Sequence, residues 1–146
     1  MRALLQRVKY SRVSVDGEEV SRIGPGLLLL LGVAADDEEK DLEWLADKVI
    51  NLRVFDDVEG KMNLSLAEVG GEIMVVSQFT LFADARKGRR PSYTQAAPPG
   101  KGESYYLLFL EGLRARGLAP AAGVFGAHMQ VELVNDGPVT LLLDSR

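Results

Sequence analysis

Residues 16–33 read DGEEVSRIGPGLLLLLGV, and this stretch decides the class of fold. Asp16-Gly17 is the two-residue turn typical of a tight β-hairpin, and Gly24-Pro25-Gly26 is a second turn. The segment between the turns, residues 18–23, has the length of a strand. Residues 27–33 open with an unbroken apolar run at 27–31, which is typical of a strand buried on both faces. The stretch therefore predicts a hairpin that leads into a central, buried strand.

Strands are also predicted on both sides of this stretch. Residues 4–15 alternate between apolar and polar, and the apolar parity changes between Val8 and Val13, which predicts a bulge or bend. Residues 72–81 contain a second buried run. Shorter strands are predicted at residues 52–55, 61–66, 129–134 and 139–143. Most of the predicted elements are therefore strands.

Two helices are predicted between the strands. The acidic residues 36–39 open the first helix, where carboxylates complement the helix dipole, and Leu42, Leu45 and Val49 follow at helical spacing. We interpret the acidic cluster as helix capping and a solvated face rather than as a metal site. The second helix covers residues 103–116 and ends at Gly117. The sequence thus predicts one α+β domain, residues 1–146, with a curved, barrel-like sheet that is mainly antiparallel or mixed and has two main helices.

Composition excludes several kinds of chemistry. The chain has no cysteine and one histidine, which excludes disulfides, thiolate metal sites, cysteine nucleophiles and centres of several histidines. We expect no metal and no cofactor.

The net charge of −4 requires any nucleic acid to bind a local basic patch. Residues 1–7 lack a signal-peptide pattern, and the apolar run at 27–31 is too short to cross a bilayer, so the cytoplasm is the expected location.

The segment Ser77-Gln78-Phe79-Thr80-Leu81 places hydroxyls and an amide at the end of a buried strand. Buried polar groups without partners are costly, so these side chains either form a site or are satisfied locally. A serine-hydrolase site would need His128, the only imidazole, as the partner of Ser77. No G-x-S-x-G motif surrounds Ser77, so this esterase remains the less favoured alternative.

Two further segments depart from ordinary patterning. Residues 82–102 form a long loop with Arg86, Lys87, Arg89 and Arg90, and with Lys101 near its end. This cluster is either a phosphate contact or a solvated loop. Gly137-Pro138 follows Asn135-Asp136 where a tight hairpin would need an amide donor that proline lacks. The Gly-Pro bond is a candidate for the cis form, although an ordinary loop would explain it too.

Together these motifs resemble the D-aminoacyl-tRNA deacylase family over essentially the whole chain. The pair formed by SQFTL at 77–81 and NDGPVT at 135–140 is specific to that family. Further matches are RALLQRV at 2–8, GKMNLS at 60–65, RPSY at 90–93 and FGAHM at 125–129. The family often has Ala where this chain has Gly102, which bears on the amino-acid side of the pocket and on its tolerance of glycine.

The resemblance implies hydrolysis of the ester that joins a D-amino acid, or glycine mischarged on tRNA for alanine, to the terminal adenosine of tRNA. It implies a homodimer with two active sites at the subunit interface. The carried-over catalytic segment is Ser77, Gln78, Phe79 and Thr80, and the partner chain supplies a cis Gly137-Pro138 that rejects L-amino acids. Phe125 and Met129 match the adenosine pocket, and Arg7 matches a residue that braces the Gly-Pro loop.

Catalysis assisted by the 2′-hydroxyl of the RNA fits a chain with few catalytic side chains, because an aminoacyl ester is already activated. Arg86, Lys87, Arg89 and Arg90 are the expected contacts to the tRNA backbone. A non-catalytic RNA-binding module is the remaining alternative, although the chain lacks the stacked aromatics of common RNA-binding sheets.

Overall fold

A six-stranded mixed sheet, nearly closed into a barrel, organises the computed structural model, which describes residues 1–146. The strands are β1 (Arg2–Val15), β2 (Glu18–Ile23), β3 (Gly26–Gly32), β4 (Phe55–Asp56), β5 (Met62–Leu64), β6 (Glu72–Ser77), β7 (Ala121–Ala122) and β8 (Met129–Asp144). The helices are α1 (Glu39–Asn51), α2 (Leu66–Val69) and α3 (Pro99–Ala115). The short strands β4 and β5 form a separate hairpin. The predicted α+β class is confirmed.

Strand β1 is the centre of the sheet. One edge pairs antiparallel with β3 along its first half and with β2 along its second half, while the other edge pairs antiparallel with β8. Beyond β3 the sheet continues through two parallel pairs, β3 with β6 and β6 with β7. The opposite edge of β8 has no partner strand. The sheet is therefore mixed, as the sequence predicts.

The apolar run of β3 is buried on both faces. Leu27, Leu29 and Leu31 belong to the main core, together with the buried faces of α1 and α3. Leu28 points to the other face, where it joins a smaller cluster with Val8 and Met74. This arrangement explains why the run lacks the alternation of a half-solvated strand.

The two strands expected at residues 129–134 and 139–143 are a single strand, β8. Both halves pair with β1, because Val8 pairs with Asn135 and Gln6 with Thr140. Between these partners β8 has more residues than β1, so residues 136–139 bulge out of the ladder. The irregularity expected between Val8 and Val13 occurs beside this bulge, with register shifts on both sides of Val8 and a further shift after Val13.

The capping and the solvated face expected at residues 36–39 are present with one exception, Asp37: Glu38 caps α1 through a capping box, and Asp36, Glu38 and Glu39 are exposed. Asp37 and Asp41 are buried. Asp37 accepts a hydrogen bond from the Met1 ammonium at 2.6 Å, and Asp41 accepts from the Glu38 amide at 2.8 Å and from the Ser145 hydroxyl at 2.8 Å. These carboxylates therefore tie both ends of the chain to the start of α1.

Other element boundaries differ from the expected ones. The second long helix begins at Pro99 rather than at residue 103, because proline suits the first turn of a helix. The strand expected over residues 72–81 ends at Ser77 and turns into a 3-10 turn, Phe79–Phe82. The strands expected at 52–55 and 61–66 shrink to the short β4 and β5, and α2 follows, where Ser65 and Glu68 form a capping box. No helix is long and apolar enough to span a membrane.

Candidate active site

A cavity of about 590 Å³ opens at the carboxyl end of β6. Its lining includes Ser77, Gln78 and Phe79 on one side and Phe125, His128 and Met129 on the other. The beginning of α3 closes it from a third direction with Pro99 and Gly102. The structure thus brings together the polar segment after β6 and the segment matched to the adenosine pocket.

The backbone turn after β6 leaves two donors free. The last ladder bond runs from the Gln78 amide to the Leu31 carbonyl at 2.7 Å, and the 3-10 turn then begins with a bond from the Leu81 amide to the Gln78 carbonyl. The amides of Phe79 and Thr80 lie in the first positions of this turn, where no backbone acceptor is available, and they have no partner in the protein. They form a pair of consecutive N–H donors where the chain leaves the cavity, since Phe79 lines the cavity and Thr80 lies just outside its lining.

The side chains of this segment are partly satisfied among themselves. The Gln78 amide group donates to the Thr80 hydroxyl. Ser77 and His128 both line the cavity, but no hydrogen bond joins them and no carboxylate contacts His128. The arrangement therefore lacks the base and orienting group of a serine-hydrolase triad.

The apolar wall of the cavity is built around Tyr106. Its hydroxyl donates to the Val75 carbonyl at 2.8 Å, and burial raises the pKa of Tyr106 to about 12, so the phenol stays neutral. The Phe125 ring lies 6.0 Å from the Tyr106 ring. A Cβ at Gly102 would lie 3.4 Å from Phe125, so the glycine makes the pocket slightly wider than alanine would.

Gly137 and Pro138 do not line the cavity of their own chain. They occupy the exposed bulge of β8, and their peptide bond is cis. Arg7 supports the bulge, since its Nε donates a hydrogen bond to the Asp136 carbonyl at 2.8 Å. The same guanidinium donates to the Val54 carbonyl at 2.7 Å and to Asp56 at 3.2 Å. The structure therefore places Arg7 against the Gly-Pro segment, and both away from Ser77 of the same chain.

Asn135, the first residue of the NDGPVT motif, is a positioning residue, a role that the motif by itself did not assign. Its Oδ1 accepts from the Val139 amide at 2.8 Å, and its Nδ2 donates to the Val139 carbonyl at 3.1 Å and to the Thr140 hydroxyl at 3.0 Å. The side chain thus closes the bulge across Gly137 and Pro138. A signal for this role is present in the sequence, because asparagine before a turn often replaces backbone hydrogen bonds.

The basic loop contains fewer free cations than its sequence suggests. Arg86 is paired with Asp84 at 2.6 Å, and the hydrogen bonds from Arg86 lower the pKa of Asp84 to about 2. Lys101 is not part of the cluster, because its ammonium donates to the carbonyls of Ala35 and Asp37. Lys87, Arg89 and Arg90 are exposed and form no ion pair. They are the cations available to a ligand.

Comparisons with known proteins bear on the family of the chain. The family model described as D-Tyr-tRNA(Tyr) deacylase matches residues 4–144. The D-aminoacyl-tRNA deacylases of Thermosipho africanus and Thermomicrobium roseum are 57% and 59% identical to the chain, cover 100% and 99% of it, and are themselves covered to 98% and 94%.

Two solved structures share the fold. One, described as a c-Myc DNA unwinding element binding protein, is 44% identical with a TM-score of 0.94 and covers 100% of this chain and 99% of its own. The other, described as a probable eukaryotic D-amino acid tRNA deacylase, is 20% identical with a TM-score of 0.84 and 97% coverage of both chains, and it supports the fold alone. The chain therefore belongs to the D-aminoacyl-tRNA deacylase family and is a hydrolase of that family.

Proposed function

We propose that this enzyme hydrolyses the ester between a D-amino acid and the terminal adenosine of tRNA, accepts glycyl-tRNA, and spares L-aminoacyl-tRNA. The observation that carries the proposal is the free amide of Phe79, which lines the cavity, followed by the free amide of Thr80 just outside its lining. Donors fixed before the reaction stabilise the negative charge that develops on an ester carbonyl under attack by water.

The water needs little help from a side chain. An aminoacyl ester is activated, and the 2′-hydroxyl of the terminal ribose lies next to the reacting carbonyl, where it can orient or activate water. This route requires no hydrogen bond between Ser77 and His128, and the structure has none. In this proposal Ser77, Gln78 and Phe79, which line the cavity, shape the floor of the site together with the adjacent Thr80, and no cofactor takes part.

Discrimination between enantiomers requires a second copy of the chain. Gly137 and Pro138 lie on an exposed bulge outside their own cavity. The outer edge of β8 has no partner strand, and β8 exposes Val134, Leu141 and Leu142, an apolar surface suited to a partner. We infer a homodimer in which each bulge enters the other chain's cavity.

A rigid backbone wall at that position would select by shape. With the ammonium and the ester fixed, the side chains of the two enantiomers leave the α-carbon in different directions. A wall on one side excludes the L-side chain whatever its chemistry, while glycine has no side chain to exclude. The terminal adenosine would lie against Phe125 and Met129, and the phosphates would contact the basic loop. The cytoplasm is the compartment that we propose for this activity.

The test compares release of amino acid from D-tyrosyl-, L-tyrosyl- and glycyl-tRNA under matched conditions. We expect the first and third to be hydrolysed and the second to be spared. Equal rates for both tyrosyl enantiomers would refute the chiral function, and tight binding without release would identify a non-catalytic RNA-binding module.

A second arm separates the two catalytic routes. Ser77→Ala should retain substantial activity, whereas a substrate with a 2′-deoxy terminal adenosine should react much more slowly. A loss of thousands-fold or more in Ser77→Ala, comparable to the removal of a triad nucleophile, would instead support a serine esterase that uses Ser77 and His128.

A further inference from the structure

We propose that Tyr93 and Phe79 form a second base-binding site at the mouth of the cavity, which stacks the nucleotide that precedes the terminal adenosine. This inference rests on the proposed function, because it assigns the next nucleotide of the same RNA strand to a named pair of side chains.

The two rings form an open aromatic corner. Their centroids are 5.1 Å apart and their planes are inclined by 70°. Phe79 is 57% exposed and Tyr93 is 39% exposed, and both line the cavity. The Tyr93 hydroxyl has no partner within the protein. Phe82, Tyr106 and Phe109 are buried, and the exposed Tyr10 and Trp44 do not line the cavity, so this pair is the exposed aromatic group at the site.

The corner is held in place by backbone hydrogen bonds. Ser92 exchanges two of them with Asp84, at 2.7 and 2.9 Å, and the Tyr93 carbonyl accepts from the Ala96 amide at 3.0 Å. Phe79 begins the 3-10 turn that follows β6. Both rings therefore stand on anchored backbone, so a ligand would not have to order them.

The order of features along the surface indicates the occupant. The bridge between Asp84 and Ser92 joins the two ends of the basic loop, and Arg89 and Arg90 lie within that loop. Tyr93 stands directly after that bridge and contacts Phe79 at the cavity. A strand whose terminal nucleoside fills the cavity would therefore place its preceding base at the corner and its phosphates towards the cations.

The geometry suits one base. Because the rings are nearly perpendicular, a flat base can stack on one ring while its edge meets the other. Stacking on an aromatic ring tolerates any base, so the corner would add affinity without sequence preference. The aromatic corner would act on every tRNA, since the nucleotides before the terminal adenosine are single-stranded.

The test uses two small substrates that differ only in the preceding nucleotides: the 3′-D-tyrosyl ester of adenosine and that of the trinucleotide CCA. For Tyr93→Ala, kcat/KM on the trinucleotide ester should fall about tenfold, in line with the loss of one stacked base. The value on the adenosine ester should fall much less, so the measured quantity is the ratio of the two values, because Tyr93 also lines the cavity that holds the adenosine. Tyr93→Phe keeps the ring and should restore activity on the trinucleotide.

Trp44→Ala is the matched control, because Trp44 is 44% exposed on α1 and lies outside the cavity; both of its values should match wild type. Tyr93→Leu keeps apolar bulk without an aromatic face and should behave as Tyr93→Ala. Equal losses on both esters, or no loss on either, would overturn the proposal. If the wild-type enzyme hydrolyses neither ester nor D-tyrosyl-tRNA, the proposed function itself fails.

Discussion

At the scale of single residues, Asn135 shows how one side chain can shape a functional loop. Its amide replaces the ladder bonds that the bulge of β8 removes, since it both donates to and accepts from the backbone of Val139. Arg7 supports the same bulge from the other side through the Asp136 carbonyl. Gly137 and Pro138 are therefore fixed between two side chains that take no part in the chemistry.

Asn135→Asp should loosen this bulge. The substitution keeps the acceptor for the Val139 amide but removes both donors, and it places a carboxylate beside the Val139 carbonyl. We expect a loss of about 1–3 kcal/mol in the free energy of unfolding and a lower ratio of kcat/KM for D- over L-aminoacyl-tRNA. Thr140→Val removes one of the three hydrogen bonds of Asn135, together with the one that Thr140 accepts from Gln6, and should have a smaller effect. An unchanged ratio in Asn135→Asp would show that Asn135 does not position the Gly-Pro segment.

At the scale of elements, the parallel contact between β3 and β6 depends on Gly26. The residue pairs with Glu72, and a Cβ added there would lie 1.9 Å from the Glu72 carbonyl oxygen. That atom belongs to the backbone and cannot swing aside. Glycine is thus required by close approach of two strands, which in turn aligns Leu31 with Ser77 at the site.

Gly26→Ala should therefore destabilise the protein by about 1–3 kcal/mol or more, as overpacking does in a close-packed interior. Gly100→Ala is the control, because nothing lies within 4 Å of a Cβ at that position of α3 and alanine favours a helix by about 1 kcal/mol. Urea denaturation of both variants measures the difference. Equal stabilities would mean that β3 can shift away from β6 at little cost.

At the scale of the whole molecule, three unpaired cations lie together in one loop of an acidic chain. The chain has a net charge of −4, yet Lys87, Arg89 and Arg90 stand together without acidic partners, while Arg86 is paired with Asp84. An acidic surface would repel RNA from most of the protein, so the basic loop would determine where RNA approaches.

The double variant Arg89→Gln/Arg90→Gln should raise KM for D-aminoacyl-tRNA and make it less dependent on salt. Removal of a single cation that binds a phosphate reduces the slope of log affinity against log salt concentration by about 1. Lys40→Gln/Lys48→Gln makes the same change in net charge on α1 and should affect both quantities less. If the two double variants behave alike, only net charge matters and the loop does not bind phosphate.

The sequence by itself determined the class of fold, most of the strands, both long helices and where the polar residues after β6 lie, whereas α2 and β7 were not predicted. These features depend on local patterns: the Asp16-Gly17 turn, the apolar run of β3, and the abrupt change at Ser77. Motif matches at 77–81 and 135–140 also identified the family. Neighbouring residues are enough for such inferences, since backbone geometry and burial periodicity act over a few positions.

Only the tertiary structure decided which distant groups meet. It made β8 one strand with a bulge, because both halves pair with the same β1. It buried Asp37 and Asp41 against the chain ends, used Lys101 to bind carbonyls, and joined Tyr93 to Phe79 at the cavity. Each outcome depends on packing between residues far apart in the chain. A local sequence pattern contains no information about the distance between such residues.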